Sequence, residues 1–213
     1  MTKKEKMTAL IFRLKEIYPD ARCALEYEGD PWRLLVMGRL SAQCTDKRVN
    51  EVCKELFKEL PDIESAAKAP VSQIEKLVRP CGLYRTKAKN IKDAAIMLTE
   101  DFDGKIPDNM DDLLKLPGVG RKIANLLLGD LFGKPAIVAD THCIRLSGRF
   151  GFVPMGEDDP YKVEKALVKI TPPEESSDLC HRLVNFGRDR CRARNPICDG
   201  CPVKDLCVYK EKK

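Results

Sequence analysis

The sequence predicts an all-α fold, and three features indicate this class. Apolar residues recur every three or four positions along most of the chain, which is the spacing of an amphipathic helix. Segments in which polar and β-branched apolar residues alternate are missing, so no sheet is expected. Short connections rich in proline or glycine separate roughly ten helical segments; they lie near residues 61, 80–82, 104–107, 133–135 and 154–160.

Length and composition are those of a globular protein. The 213 residues can bury a sizeable core, and 43% apolar with 33% charged residues excludes a disordered chain. No apolar run approaches the roughly 18 residues that span a bilayer. The first residues lack the apolar core of a signal peptide. We therefore expect a cytoplasmic protein with no membrane partner.

Individual helices are placed by their apolar faces and end signals. Three patterns have apolar side chains at helical spacing; they cover residues 7–17, 49–60 and 91–102. Ser72 and Glu75 have the spacing of a capping box, which predicts a helix start at this point. Asp159 and Pro160 mark another helix start. Each of these segments supports the all-α prediction.

The central feature is the stretch from Leu116 to Ala124, which reads LPGVGRKIA. A short helix from Asp111 to Lys115 is expected to end at Pro117, and an apolar helix from Arg121 to Leu128 follows. The glycines between them permit backbone angles and close approaches that a Cβ would obstruct. A tight turn that opens a helix presents unpaired N–H groups at a positive dipole end, which suits a phosphate. Glycine spacing alone leaves an ordinary helical hairpin equally open.

Ten cysteines divide into a terminal group and a scattered group. The terminal four have the spacing C-x6-C-x2-C-x5-C; they are Cys191, Cys198, Cys201 and Cys207. The expected cytoplasmic location argues against disulfides, so a metal site is expected. The spacing alone suits either structural zinc or an iron–sulfur cluster. The scattered six are expected to be reduced; they are Cys23, Cys44, Cys53, Cys81, Cys143 and Cys180.

Positive charge is concentrated at the end of the chain. Residues 181–213 carry nine Lys or Arg against four Asp or Glu, which accounts for the whole net charge of +5. Such a segment is either a solvated face or the electrostatic footprint of a phosphate-binding surface.

These motifs resemble those of one family. LPGVGRKIA is similar to the helix-hairpin-helix motif of DNA-repair glycosylases, and a lysine at the position of Lys122 is similar to the bifunctional members typified by endonuclease III. The terminal cysteine spacing resembles the 4Fe-4S signature of the endonuclease III and adenine-glycosylase branch. Five segments match the family's order between residue 30 and Cys207, so by resemblance the chain is identified as a member of the endonuclease III family.

The resemblance implies a two-lobed helix-hairpin-helix DNA glycosylase fold with a C-terminal 4Fe-4S cluster loop. A six-helix lobe with the hairpin would span residues 24–134, and residues 1–23 with 135–213 would form the cluster-bearing lobe. The four terminal cysteines would hold a structural cluster. The expected partner is double-stranded DNA with damaged bases or abasic sites, bound by a monomer associated with the nucleoid.

The resemblance also assigns the chemistry. After the damaged base is flipped out, the amine of Lys122 would attack C1′, form a Schiff base and allow β-elimination of the 3′ phosphate. Asp140 lies in a VADTH segment that resembles the family's V-D-T-H, and it would face Lys122 and stabilise positive charge on the sugar. From the residues alone, Asp140 is a good N-cap for a helix over 141–149. The expected substrates are oxidised or ring-fragmented pyrimidines such as thymine glycol.

Further residues would contact the DNA. By resemblance, Gln43 in SAQCTD would fill the gap left by the flipped base, and Leu83 in GLYRTKA would act as an apolar wedge. The alternatives are a helix cap at Thr45 or Asp46 and a core leucine. Phosphate contacts are expected from the hairpin and the cluster loop, at Gly118, Val119, Gly120, Arg121, Arg192 and Arg194.

Two other functions stay open at this point. A monofunctional glycosylase of the same fold, such as the mismatch adenine type, shares the cluster and the aspartate but usually lacks the hairpin lysine. A non-catalytic DNA-binding module with a zinc site is the other alternative, and a colourless, zinc-loaded protein would favour it over an iron–sulfur enzyme.

Two residues depart from the family's pattern. Arg39 lies on a mostly buried predicted helix and needs a partner, and Ile123 stands where threonine is frequent. Both leave the substrate range open.

Overall fold

The computed structural model describes residues 1–209, and this part of the chain is helical. It contains eleven α-helices and three 3-10 turns and no β-strand, which confirms the predicted class. None of its helices is both long and apolar enough to cross a membrane. Residues 210–213, which end the basic segment and the expected cluster-bearing lobe, lie outside the described residues.

The helices are α1 (Lys3–Ile17), α2 (Pro31–Leu40), α3 (Asp46–Glu59), α4 (Ile63–Lys68), α5 (Val71–Val78), α6 (Tyr84–Asp101), α7 (Met110–Leu113), α8 (Arg121–Asp130), α9 (Thr141–Arg149), α10 (Pro160–Val168) and α11 (Ser176–Asp189). The 3-10 turns are Arg79–Cys81, Pro173–Glu175 and Lys204–Leu206.

The chain divides into two compact units. We call Ala24–Phe132 the hairpin unit, and we call Met1–Cys23 with the chain from Gly133 onward the cluster unit. The hairpin unit holds α2 to α8, and α7 is a single turn of four residues.

In the cluster unit, the first helix of the chain packs against the last ones. Met7, Leu10 and Leu14 of α1 are buried in one core with residues from α9, α10 and α11. On the surface of the same unit, Arg13 donates to Asp205 at 2.5 and 2.9 Å. The N-terminal segment is thus an integral part of this core.

Most predicted helix starts are found, with one exception. α10 begins at Pro160, and the side chain of Asp159 accepts from the first turn. The predicted capping box at Ser72 and Glu75 is wrong, since α5 begins at Val71 with no side-chain cap hydrogen bond. The preceding proline occupies the N-cap position with φ −64°, so Ser72 lies inside the first turn.

The hairpin joins α7 to α8. α7 ends at Leu113, two residues earlier than predicted, and α8 starts at Arg121 as predicted and ends at Asp130, two residues later than predicted. Gly120 is the N-cap of α8 and provides no side-chain cap, so the first N–H groups of this helix meet no capping side chain.

The hairpin rests on a pair of polar side chains that the sequence did not reveal. With its side-chain amide oriented so that the oxygen faces Arg39, Oδ1 of Asn90 accepts from Nη2 of Arg39 at 2.9 Å and from Nε at 3.0 Å. Gly118 has φ +79°, and a Cβ there would lie 2.6 Å from Nε of Arg39 and 2.6 Å from the Asn90 amide. Asn90 is therefore the partner of Arg39. Because a Cβ at position 118 would clash with both side chains, only glycine fits there.

Helix α8 packs against α2 beside Gly38. A Cβ on Gly38 would lie 3.5 Å from Ile123 and 3.6 Å from Leu126, which is ordinary van der Waals contact. Ile123 therefore packs against α2 at Gly38 and fixes the position of the start of α8. Both departures from the family's pattern thus lie in the support of the hairpin.

We expect Gly118→Ala to lower the free energy of unfolding by about 1–3 kcal/mol, because it combines a left-handed φ with a steric clash. Gly120→Ala is the matched control, since a Cβ there meets nothing within 4 Å, and its cost should stay below about 1 kcal/mol. Urea unfolding followed by circular dichroism measures both. Equal destabilisation by the two variants would contradict the close approach at Gly118.

Candidate functional site

The hairpin presents an amine at a helix start. Lys122 is the second residue of α8 and is exposed. Gly118 and Gly120 form the turn before it, and Gly120 adopts an extended conformation with φ −100°. Positive helix ends with open N–H groups suit anions, so a phosphate beside the hairpin would lie close to this amine.

Val119 has a different place from its neighbours in the hairpin. Its side chain is buried, and its N–H donates to the carbonyl of Leu116 at 3.0 Å. This residue therefore stabilises the turn from within. Arg121, the first residue of α8, is half-buried.

Asp140 is the N-cap of α9, as predicted from the residues. Its Oδ1 accepts from the N–H of Cys143 at 2.8 Å, and the side chain is half-buried. The cap fixes the carboxylate on a rigid helix end. Asp140 belongs to the cluster unit, whereas Lys122 belongs to the hairpin unit.

Four exposed non-glycine residues of the hairpin unit have left-handed backbones, and two of them are residues expected to contact the DNA. Gln43 has φ 54°, and Leu83 has φ 47° with 59% of its surface exposed. For a residue with a Cβ this conformation costs about 1–2 kcal/mol. Exposure excludes the core-leucine alternative for Leu83. The cap alternative beside Gln43 is correct for Thr45, whose side chain accepts from Arg48 N at 3.3 Å.

The four terminal cysteines line one cavity of 280 Å³ in the cluster unit. Its other walls are largely apolar and include Phe150, Phe186 and Val203. Within residues 1–209, no three His, Cys, Asp or Glu side chains are placed to hold a single metal ion. A cavity of this volume with four thiols as donors fits a polynuclear iron–sulfur cluster.

Arg149 holds the loop that follows the first of these cysteines, and the sequence did not single it out. It is buried, and its guanidinium donates to the carbonyls of Arg192 at 2.7 Å and Ala193 at 3.2 Å. It also donates to Sγ of Cys191 at 3.1 Å. Arg149 is the last residue of α9, so it ties the helix that Asp140 begins to the cysteine loop.

The same loop exposes two cations. Arg192 and Arg194 are both exposed, between Cys191 and Cys198. Their guanidinium groups are therefore available to an anionic partner.

Family models match most of the chain. The HhH-GPD superfamily of base excision DNA repair proteins matches residues 36–173. The iron–sulfur binding domain of endonuclease III matches residues 191–207, the segment bounded by Cys191 and Cys207. The second match indicates a 4Fe-4S cluster and decides between the two metal sites that the spacing left open.

Similar proteins agree with these matches. Endonuclease III of Synechocystis sp. is 42% identical over 207 residues, which is 97% of this chain and 93% of that protein. A solved non-covalent endonuclease III–DNA complex has a TM-score of 0.91 at 42% identity and covers 98% of this chain and 96% of the other. A trapped endonuclease III–DNA covalent intermediate has the same TM-score of 0.91 and identity of 42%, and it covers 98% and 97%.

Both the fold and the cysteine segment therefore lead to one assignment: the chain belongs to the HhH-GPD superfamily and, within it, to the endonuclease III family.

Proposed function

We propose that Lys122 and Asp140 are the catalytic pair of this protein, a bifunctional DNA glycosylase and abasic-site lyase of base excision repair. The observation that carries the proposal is an exposed amine in the first turn of α8, directly after a hairpin whose N-cap residue, Gly120, provides no capping side chain. The related protein trapped as a covalent DNA intermediate supports it.

In the proposed reaction, Nζ of Lys122 attacks C1′ of the flipped nucleotide as a neutral amine. The C1′–N bond to the base breaks, and the base leaves with the bonding electrons and takes up a proton. Loss of a proton from the attached nitrogen and ring opening give a Schiff base between Lys122 and the sugar. Removal of a proton from C2′ then breaks the C3′–O bond and releases the 3′ phosphate.

Asp140 supplies negative charge where positive charge develops. The sugar becomes cationic as the base leaves, and a carboxylate held in place before the reaction stabilises that charge without reorganising. The N-cap bond to Cys143 N at 2.8 Å keeps this carboxylate on the end of α9. The cap and the catalytic role are therefore compatible.

The remaining predicted residues bind the DNA. The turn at Gly118 and Gly120 holds a phosphate, Gln43 takes the place of the flipped base, and Leu83 enters the stack as a wedge. The exposure of Gln43 and Leu83 supports these roles. The DNA carries damaged bases or abasic sites, and oxidised pyrimidines such as thymine glycol are the proposed substrates.

The terminal cysteines are the proposed ligands of the cluster. Cys191, Cys198, Cys201 and Cys207 line the cavity, and the cluster fixes the loop that carries Arg192 and Arg194. Its role is structural. We also propose that the protein acts as a monomer in the cytoplasm, associated with the nucleoid.

Lys122→Ala should abolish strand cleavage, because no other group replaces the attacking amine. The test is borohydride trapping on a labelled duplex with one thymine glycol, read on a denaturing gel. Lys115→Ala, which removes a lysine on the other side of the hairpin, should still give the covalent band. Retained cleavage by Lys122→Ala would refute the assignment, and alkali-labile sites without a band from the unmodified protein would indicate a monofunctional glycosylase.

Asp140→Asn should lower the single-turnover rate of base excision by roughly a hundredfold or more, because the charge is lost. Folding should persist, since asparagine is an equally good N-cap. Asp159→Asn is the control, because it makes the same change at the N-cap of α10, and its rate should match that of the unmodified protein. Near-normal excision by folded Asp140→Asn would remove this residue from the mechanism.

The double variant Arg192→Ala/Arg194→Ala should lower the slope of log affinity against log salt by about 2, because each cation neutralises one phosphate. Dissociation constants for a duplex with an abasic-site analogue at several salt concentrations give the slope. Lys162→Ala, at another exposed cation of the cluster unit, serves as the control. An unchanged slope in the double variant would contradict phosphate contacts by the cluster loop.

A further inference from the structure

One buried lysine connects the two segments that carry Gln43 and Leu83. Lys87 lies in the first turns of α6, and none of its surface is exposed. Its Nζ donates to the carbonyls of Leu40 at 2.9 Å, Ala42 at 2.8 Å and Cys81 at 2.8 Å. An ammonium group has three donors, so these three carbonyls use all of them.

The three carbonyls belong to two different segments. Leu40 ends α2, and Ala42 directly precedes Gln43. Cys81 ends the 3-10 turn that leads through one glycine to Leu83. The ammonium group of Lys87 thus links, by hydrogen bonds, the backbone segments that carry Gln43 and Leu83.

The position of this charge is costly for the fold. Burial lowers the pKa of Lys87 below its usual value, because the charged form loses its hydration. An apolar side chain of similar length would fill the same space without this cost. What it would lack is three directed hydrogen bonds to the two segments.

We propose that Lys87 is a positioning residue that fixes the distance between the Gln43 and Leu83 segments, so that both side chains enter the DNA together around the flipped nucleotide. The proposal rests on the proposed function, which assigns the two side chains to the DNA. Lys87 itself contacts neither substrate nor base. Lys87 is expected to affect the rate at which a paired base is flipped out of the duplex, which precedes the chemistry at C1′.

Lys87→Met tests this, because it keeps the length of the side chain and removes all three donors. Two duplexes are compared under single-turnover conditions, one with thymine glycol opposite adenine and one with the same lesion in a one-nucleotide bulge. Loss of the donors should slow excision of the paired lesion by about tenfold or more. The bulged lesion has no partner base to separate from and no gap for Gln43 to fill, so its rate should change by less than about twofold.

Lys92→Met is the matched control on the same helix. Nζ of Lys92 donates to the carbonyls of Ala67 at 2.9 Å and Ala69 at 2.5 Å, which lie at the end of α4. This variant also removes lysine-to-carbonyl bonds from α6, so any general loss of stability should appear in it. Its ratio of paired to bulged rates should equal that of the unmodified protein.

The proposal is supported if the ratio of the paired-lesion rate to the bulged-lesion rate falls in Lys87→Met and not in Lys92→Met. It is overturned if Lys87→Met slows both lesions equally, if neither rate changes, or if Lys92→Met alters the ratio to the same extent. Circular dichroism and the visible absorbance of the cluster report folding. Should Lys87→Met fail to fold, Lys87→Gln, which has only two donors, is measured in the same way with the same outcomes.

The bulged lesion also separates this proposal from the proposed function. Borohydride trapping on it requires Lys122 but not the joint entry of Gln43 and Leu83. If the unmodified protein gives no Lys122-dependent complex on either duplex, the proposed chemistry fails and this inference fails with it; if a complex forms only on the paired duplex, this inference alone fails. If trapping occurs and the ratio is unchanged in Lys87→Met, only the role of Lys87 is refuted.

Discussion

The close approach of Gly118 to the Arg39 and Asn90 side chains determines the shape of the hairpin. The turn lies so near this pair that a Cβ would come within 2.6 Å of both. Its left-handed φ of +79° directs the chain into α8, whose first N–H groups meet no capping side chain. If a methyl group at position 118 displaced the turn from these side chains, the first N–H groups of α8 and the amine of Lys122 would change their direction together.

In the cluster unit, helix α9 connects the proposed catalytic carboxylate to the cysteine loop. Asp140 is the N-cap of this helix and Arg149 is its last residue. The proposed catalytic carboxylate and the arginine that binds the cysteine loop therefore belong to one rigid element. Arg149 donates to Sγ of Cys191 and to two carbonyls beyond it. Because Arg149 joins this loop to α9, a cluster held by the four cysteines would stabilise the same helix that carries Asp140.

Much of the fold and part of the site could be predicted from local sequence. Asp140 before Thr141 and glycine before Arg121 are end signals that depend only on adjacent residues, and both helices begin there. The capping box at Ser72 failed because a neighbouring proline competed for the same N-cap position. The roles of Lys87 and Arg39 depend on partners far along the chain, such as Leu40 and Asn90. No spacing rule indicates such pairs, because they arise only when the helices pack.

The division of the cluster unit between the two ends of the chain has a consequence for biosynthesis. The hairpin unit is one continuous segment, so it can fold on the ribosome once Phe132 has emerged. Helix α1 emerges first, yet Arg13 bonds to Asp205, 192 positions later. Met7 and Leu14 therefore stay without their core until nearly the whole chain has been made. Val203 and Leu206, which share this core, lie beside Cys201 and Cys207, so the last cysteines and the last core partners of α1 leave the ribosome together and the N-terminal helix is buried late.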